Sequence, residues 1–122
     1  MGKRLRRIDI CTQLKLGNRQ SYRIVPPSYG PLINSDEVLH IINQARRGIQ
    51  EALDGPPLDM MTAEEISKIV LDGLIPSKRI LTWTHRTKNV PPHFRFNKKT
   101  TRFSRHLFEE WITERSHIRW PN

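Results

Sequence analysis

Met61-Thr62-Ala63-Glu64-Glu65-Ile66-Ser67-Lys68-Ile69-Val70, closed by Asp72-Gly73 and followed after Pro76 by Ser77-Lys78-Arg79-Ile80-Leu81-Thr82-Trp83, is the stretch on which the fold reading turns. Thr62 and Glu65 have the spacing of a capping box, in which each side chain accepts the other residue's free backbone N–H. Ala63, Ile66, Ile69 and Val70 then fall on one helical face, and Gly73 suits the left-handed geometry of a helix end. Ser77 can cap a second helix running to about Lys88. Two short helices across a tight turn have the spacing of a helix-turn-helix.

At about 100° per residue, Ile80, Trp83, Thr84 and Thr87 of the second helix face the core. Lys78, Thr82, His85 and Asn89 fall on the opposite side, flanked by Arg79 and Arg86. Downstream, His93-Phe94-Arg95-Phe96, Asn97-Lys98-Lys99 and Thr100-Thr101-Arg102-Phe103 alternate aromatic with basic residues around a polar centre. That pattern predicts a two-stranded hairpin with one face buried and a basic tip. Ser104 is placed to cap a last helix whose Leu107, Phe108, Trp111 and Ile112 share a face. The tail from Arg115 carries no strong pattern, and Trp120 in it is a candidate for docking on the core or a partner.

Upstream, residues 1–33 read as an arm or a short hairpin (Thr12–Leu16 and Ser21–Val25 around Gly17-Asn18), then a loop stiffened by Pro26, Pro27, Gly30 and Pro31. Residues 35–53 read as one helix, capped by Asn34 or Ser35 and stopped by Gly55-Pro56-Pro57. Its apolar face, from Val38 to Leu53, suits packing on the same chain or pairing with a second copy. The expected fold is therefore mainly α with a small β-hairpin wing: a winged helix-turn-helix over residues 58–122. Residues 1–57 form an N-terminal extension containing one helix, for dimerisation or partner binding.

Charge narrows the function. The chain carries +9, from 21 Lys and Arg against 12 Asp and Glu, in 122 residues. Nine of the basic residues lie between Ser77 and Arg105, a stretch without a single Asp or Glu. A solvated face normally mixes both signs, so a one-signed stretch points to a polyanion, nucleic acid first. The one cysteine, Cys11, excludes an internal disulfide framework and fits a reducing cytoplasm. No apolar run approaches a membrane span. His40, His85, His93, His106 and His117 lack metal-ligand spacing, the glycines form no phosphate loop, and the acidic pairs Glu64-Glu65 and Glu109-Glu110 sit on helices. No catalytic residue, metal or cofactor is expected, and the protein is read as a non-enzyme.

Met61 to Ser67, Ser77 to Trp83, and Arg102-Phe103-Ser104-Arg105-His106-Leu107-Phe108-Glu109-Glu110-Trp111-Ile112 together resemble the opening, recognition-helix and closing segments of the excisionase and MerR-like winged-helix DNA-binding family. The resemblance covers roughly residues 58–115. The sequence departs from the family in its longer Val70–Pro76 turn, in Thr84 and in the missing glycine after the second helix. The resemblance implies that Lys78, Arg79, Thr82, His85 and Arg86 meet the major groove of double-stranded DNA. Arg95, Lys98, Lys99, Thr100 and Arg102 would hold the wing on the backbone. Lys3, Arg4, Arg6 and Arg7 make a candidate DNA-binding arm. Three roles fit: a recombination directionality factor, a transcriptional regulator of a mobile element, or an accessory subunit of a larger DNA-processing complex of the relaxosome or small-terminase type. The implied partners are duplex DNA, a second copy forming a homodimer or multimer on it, and a recombinase or other DNA-processing protein; the expected location is the cytoplasm, at the nucleoid, with no membrane partner.

Overall fold

A computed structural model of the chain describes residues 4–25 and 32–119, with side chains as far as Glu114. Lys3, the Pro26–Pro31 loop and Trp120 lie outside the described residues. The elements run β1 (Arg4–Arg6), α1 (Arg7–Leu14), α2 (Asn18–Ile24), β2 (Leu32–Asn34), α3 (Ser35–Ala45), β3 (Arg46–Arg47), β4 (Met60–Met61), α4 (Ala63–Glu65) continued by a π-helical turn (Ile66–Val70), α5 (Ser77–Trp83), β5 (His93–Asn97), β6 (Thr100–Ser104) and α6 (Arg105–Arg119). β1 and β2 form a two-stranded antiparallel sheet, and a second antiparallel sheet has the order β3-β5-β6-β4. This is a mixed α/β fold, which overturns the expectation of a mainly α winged helix-turn-helix.

Two expectations fail upstream. The hairpin around Gly17-Asn18 is a pair of helices, because Ile10 and Leu14 sit one turn apart and Ser21 and Ile24 follow with helical spacing; all four are buried. The single helix over 35–53 stops at Ala45, where the chain turns into β3 and pairs Arg46 with Phe94 and Arg47 with His93. Gly48 permits the exit: its φ is +68°, and a Cβ there would lie 3.0 Å from the Val90 and Pro91 carbonyl oxygens. Asn34 caps α3, its Oδ1 accepting the Asp36 N–H at 2.8 Å. Val38, Ile42 and Ala45 are buried in the chain's own core. The N-terminal half is thus a three-helix layer with its own strands, not an extension bearing one helix.

The decisive difference lies in the hairpin. A two-residue turn at Lys98-Lys99 pairs Asn97 with Thr100, and an unbroken ladder from there would put Phe94 opposite Phe103 on one face. Instead an irregularity between Arg95 and Asn97 shifts the register, so that Arg95 pairs with Thr101 and Phe94 with Arg102. One extra residue in a strand sends everything beyond it to the other face. Phe94 accordingly enters a core with Ile10, Leu14, Ile42 and Met60, while Phe103 enters a second core with Ile66, Ile80 and Phe108. Both faces of β5–β6 are covered, by α1 and α3 on one side and by α4, α5 and α6 on the other. The expected free wing is the buried centre of a sheet.

The C-terminal half meets its expectations more closely. Thr62 and Glu65 make the capping box, with Thr62 Oγ1 accepting the Glu65 N–H at 3.2 Å and Glu65 Oε1 accepting the Thr62 N–H at 3.0 Å. Asp72 and Gly73 take positive φ where the turn begins. α5 ends at Trp83, earlier than Lys88, and its N-cap is Pro76, not Ser77. Trp83 stands 5.8 Å from Trp111, and Phe108 stands 5.8 Å edge-on to Phe103.

Candidate nucleic-acid interface

α5 and the tip of β5–β6 are the two walls of one groove. Ile80 is fully buried, which fixes the helix by its inner face and leaves Lys78, Arg79 and Thr82 exposed. One stripe over, Ser77, Leu81 and His85 form the groove wall. The stripes meet at His85, in the turn that follows the helix. The facing wall holds Arg95, Lys98, Lys99 and Thr101, and the space between is about 420 Å³. Among the described residues, Glu64 is the one carboxylate on its lining.

Several of these side chains are already oriented. Arg95 Nη1 lies 3.1 Å from His85 Nδ1, so the guanidinium donates to an unprotonated imidazole nitrogen and ties strand β5 to the turn that follows α5. Asn97 Oδ1 accepts the Lys99 N–H at 2.9 Å, fixing the turn that presents Lys98 and Lys99 to solvent. Thr82 Oγ1 donates to the Lys78 carbonyl at 2.9 Å, back along its own helix. Arg86 lies 5.8 Å over the Trp83 ring, a loose cation–π contact.

Two expected phosphate contacts are mostly buried and already bonded within the fold, although Arg102 is on the lining of the groove and Thr100 on that of a neighbouring recess. Thr100 is 1% exposed, and its Oγ1 is held by Gln20 Nε2 at 3.5 Å. Arg102 is 9% exposed and spends its guanidinium on the end of α1: Nε lies 3.2 Å from the Leu14 carbonyl and 3.1 Å from that of Lys15, with Nη2 2.6 Å from Lys15 as well. Helix C-termini leave carbonyls without intrahelical partners, and a planar fork of donors meets several at once. Burial lowers the Arg102 pKa from its ordinary value, with Glu65 opposing the shift. Arg102 is a structural cation.

The candidate arm is also folded. Arg4 to Arg6 are strand β1, with Arg4 exposed at its end. Arg6 bonds Asp9 through both backbone and side chain, and Arg7 reaches Ser21 Oγ at 3.3 Å with its guanidinium 3.9 Å over the Tyr22 ring. None of the three lines the groove.

Two further cations border this surface from outside residues 58–122. Arg23 on α2, with Gln20, forms a recess of about 360 Å³ against Asn97, Lys98, Lys99 and Thr100. Arg23 and Arg47 flank a further recess of about 300 Å³ beside Arg95 and Phe96. Arg23 and Arg47 lie outside the charge cluster of Ser77–Arg105 and come beside the hairpin only through tertiary packing.

His93 sits under this surface, 1% exposed, its Nδ1 2.8 Å from the Pro91 carbonyl and its Nε2 without a partner among the described residues. Burial, then the nearby Arg47, Arg95 and His85, hold its pKa below the usual histidine range, with the Pro91 carbonyl opposing. Among the described residues no three His, Cys, Asp or Glu side chains converge as a metal site, and no helix is long and apolar enough to cross a membrane. Comparison with protein families, curated protein sequences and solved structures finds no match to this chain.

Proposed function

We propose that this protein binds double-stranded DNA, with α5 addressing the major groove and the β5–β6 tip gripping the adjacent backbone. The observation that carries the reading is the groove between them, whose tip lysines, Arg95 and the exposed Lys78 and Arg79 beside it are countered, among the described residues lining it, by the carboxylate of Glu64 alone. A seven-residue helix is about 10 Å long, within the roughly 12 Å width of a B-DNA major groove. Duplex is favoured over single strands because, among the described residues, most aromatic side chains are packed, with Phe96 half-buried and Tyr22 exposed beneath the Arg7 guanidinium. Phe94, Phe103 and Phe108 are fully buried, and Trp83 and Trp111 pack on each other, so no open platform for stacking bases is built from them.

Base-edge contacts set sequence, and phosphate contacts set position. Arg79→Ala and Arg86→Ala are therefore expected to erode discrimination between preferred and random duplexes. Lys98→Ala and Lys99→Ala should weaken both alike. Anisotropy titrations of each variant against a selected site and a scrambled duplex test the division; equal losses on both duplexes for both pairs would refute it.

A further inference from the structure

We infer that the DNA surface does not stop at the hairpin but crosses it, and that Arg23 and Arg47 of the N-terminal half form a second phosphate-binding strip on its far side. The inference rests on the duplex-binding reading above and extends it to a part of the chain that was otherwise expected to bind a protein partner. Lys98 and Lys99 line both the main groove and the recess under α2, so the two hollows share the tip as a common rim. Arg23 in turn lines both that recess and the next one, where Arg47 stands. Among the described residues, no Asp or Glu lines either recess. Arg23 is exposed and Arg47 is exposed, with Nη1 of Arg47 held 2.9 Å from the Gln44 carbonyl at the end of α3.

Arrangement, more than charge alone, selects the ligand. A single phosphate or a small anion is bound where donors converge on one point. Here the cations follow one another from the main groove over the tip to Arg23 and Arg47, which suits an anion repeated along a line. A duplex backbone is such an anion, and each phosphate neutralised releases counterions and steepens the salt dependence of binding by about 0.9 in log K against log[salt].

The test uses the full chain and long and short duplexes of random sequence, with affinity measured across a salt series. R23A/R47A is expected to lower the slope by about 2 on the long duplex. It should also remove the affinity gained on going from short to long. R23K/R47K, which keeps the charges, is expected to retain both the slope and the length dependence; circular dichroism and thermal unfolding report whether either variant is folded. An unchanged slope in folded R23A/R47A, with Lys98→Ala still weakening binding, overturns this strip and leaves the main groove standing. Loss in R23K/R47K equal to that in R23A/R47A, with the fold intact, also overturns it, since the positions would then matter for something other than charge. Failure of the wild-type chain to bind any duplex overturns both readings together.

Discussion

Arg102 and Lys98 are four positions apart, equally basic, and opposite in role. The pattern of alternating aromatic and basic residues makes them look like two phosphate contacts of one strand. The structure buries Arg102 over the last carbonyls of α1 and leaves Lys98 in solvent. Arg102→Ala leaves those carbonyls without a donor, and a buried unsatisfied group costs about 1–3 kcal/mol. The expected loss is about 3 kcal/mol in denaturant unfolding, whereas Lys98→Ala should leave stability within about 0.5 kcal/mol. Comparable stabilities for the two variants would contradict the assignment. His93 gives a pH signature. Its folded pKa lies below the 6.5 of a free histidine, so between the two values the unfolded chain binds a proton that the folded chain does not. Stability is then complete above about pH 6.5 and declines as pH falls toward the folded pKa, by up to about 1.4 kcal/mol per pH unit. Glu65 acts in a separate window. The Thr62 N–H and Lys15 hold its pKa below the ordinary 4.5, so the stability it adds is lost only at still lower pH. Unfolding curves at pH 5.5 and 7.5 should differ for the wild type and much less for His93→Phe.

Local elements whose signals are contained in a few neighbouring residues were legible, and those set by a single register step were not. The Thr62/Glu65 box, the Asp72-Gly73 stop and the Phe108, Trp111 and Ile112 face are each written within one or two turns, and each appears as expected, while Leu107 is half-buried beside that core. The β-bulge beside Phe96 is different. Its presence exchanges a one-faced hairpin for a two-faced one, and the residues themselves satisfy either register. Helix α1 is hard to read because Thr12-Gln13-Leu14-Lys15-Leu16 ends in the polar and apolar alternation of a strand, and β3 because two arginines resemble a helix end more than a strand. Asp59 shows how a distant residue completes an element. Its carboxylate accepts Ser104 Oγ at 2.9 Å and the His106 N–H at 2.7 Å, so it shares the capping of α6 with Ser104 and moors the preceding loop. Asp59→Ala should cost about 1–2 kcal/mol, in the range of a lost cap, and should reduce the helical signal of α6. A variant as stable as wild type would show that Ser104 alone suffices.

At the scale of the molecule, one sheet divides two cores, and this changes what the N-terminal half is for. Phe94 and Met60 pack with Ile10, Leu14 and Ile42, and β3 extends the sheet that β6 and β4 complete. Residues 58–122 on their own would leave that face of β5–β6 bare, with Phe94 and the Arg102 guanidinium uncovered. The fragment is expected to lack a cooperative unfolding transition, while the whole chain shows one; a fragment with dispersed amide spectra and a sharp melt would restore an independent C-terminal domain. The candidate surface was legible at the same scale only in part. Lys78, Arg79, His85, Arg86, Lys98 and Lys99 announce themselves by the absence of acids around them, and all are exposed in the folded chain. Arg23 and Arg47 join them only through the packing of α2 and β3 beside the hairpin, which a linear scan for charge does not reveal. The most direct measurement is the affinity of the full chain for a random duplex across a salt series. With five or more phosphates neutralised, log K is expected to fall with log[salt] at a slope of about −4 or steeper. An affinity indifferent to salt, or no binding at low salt, would contradict a cationic surface built for DNA.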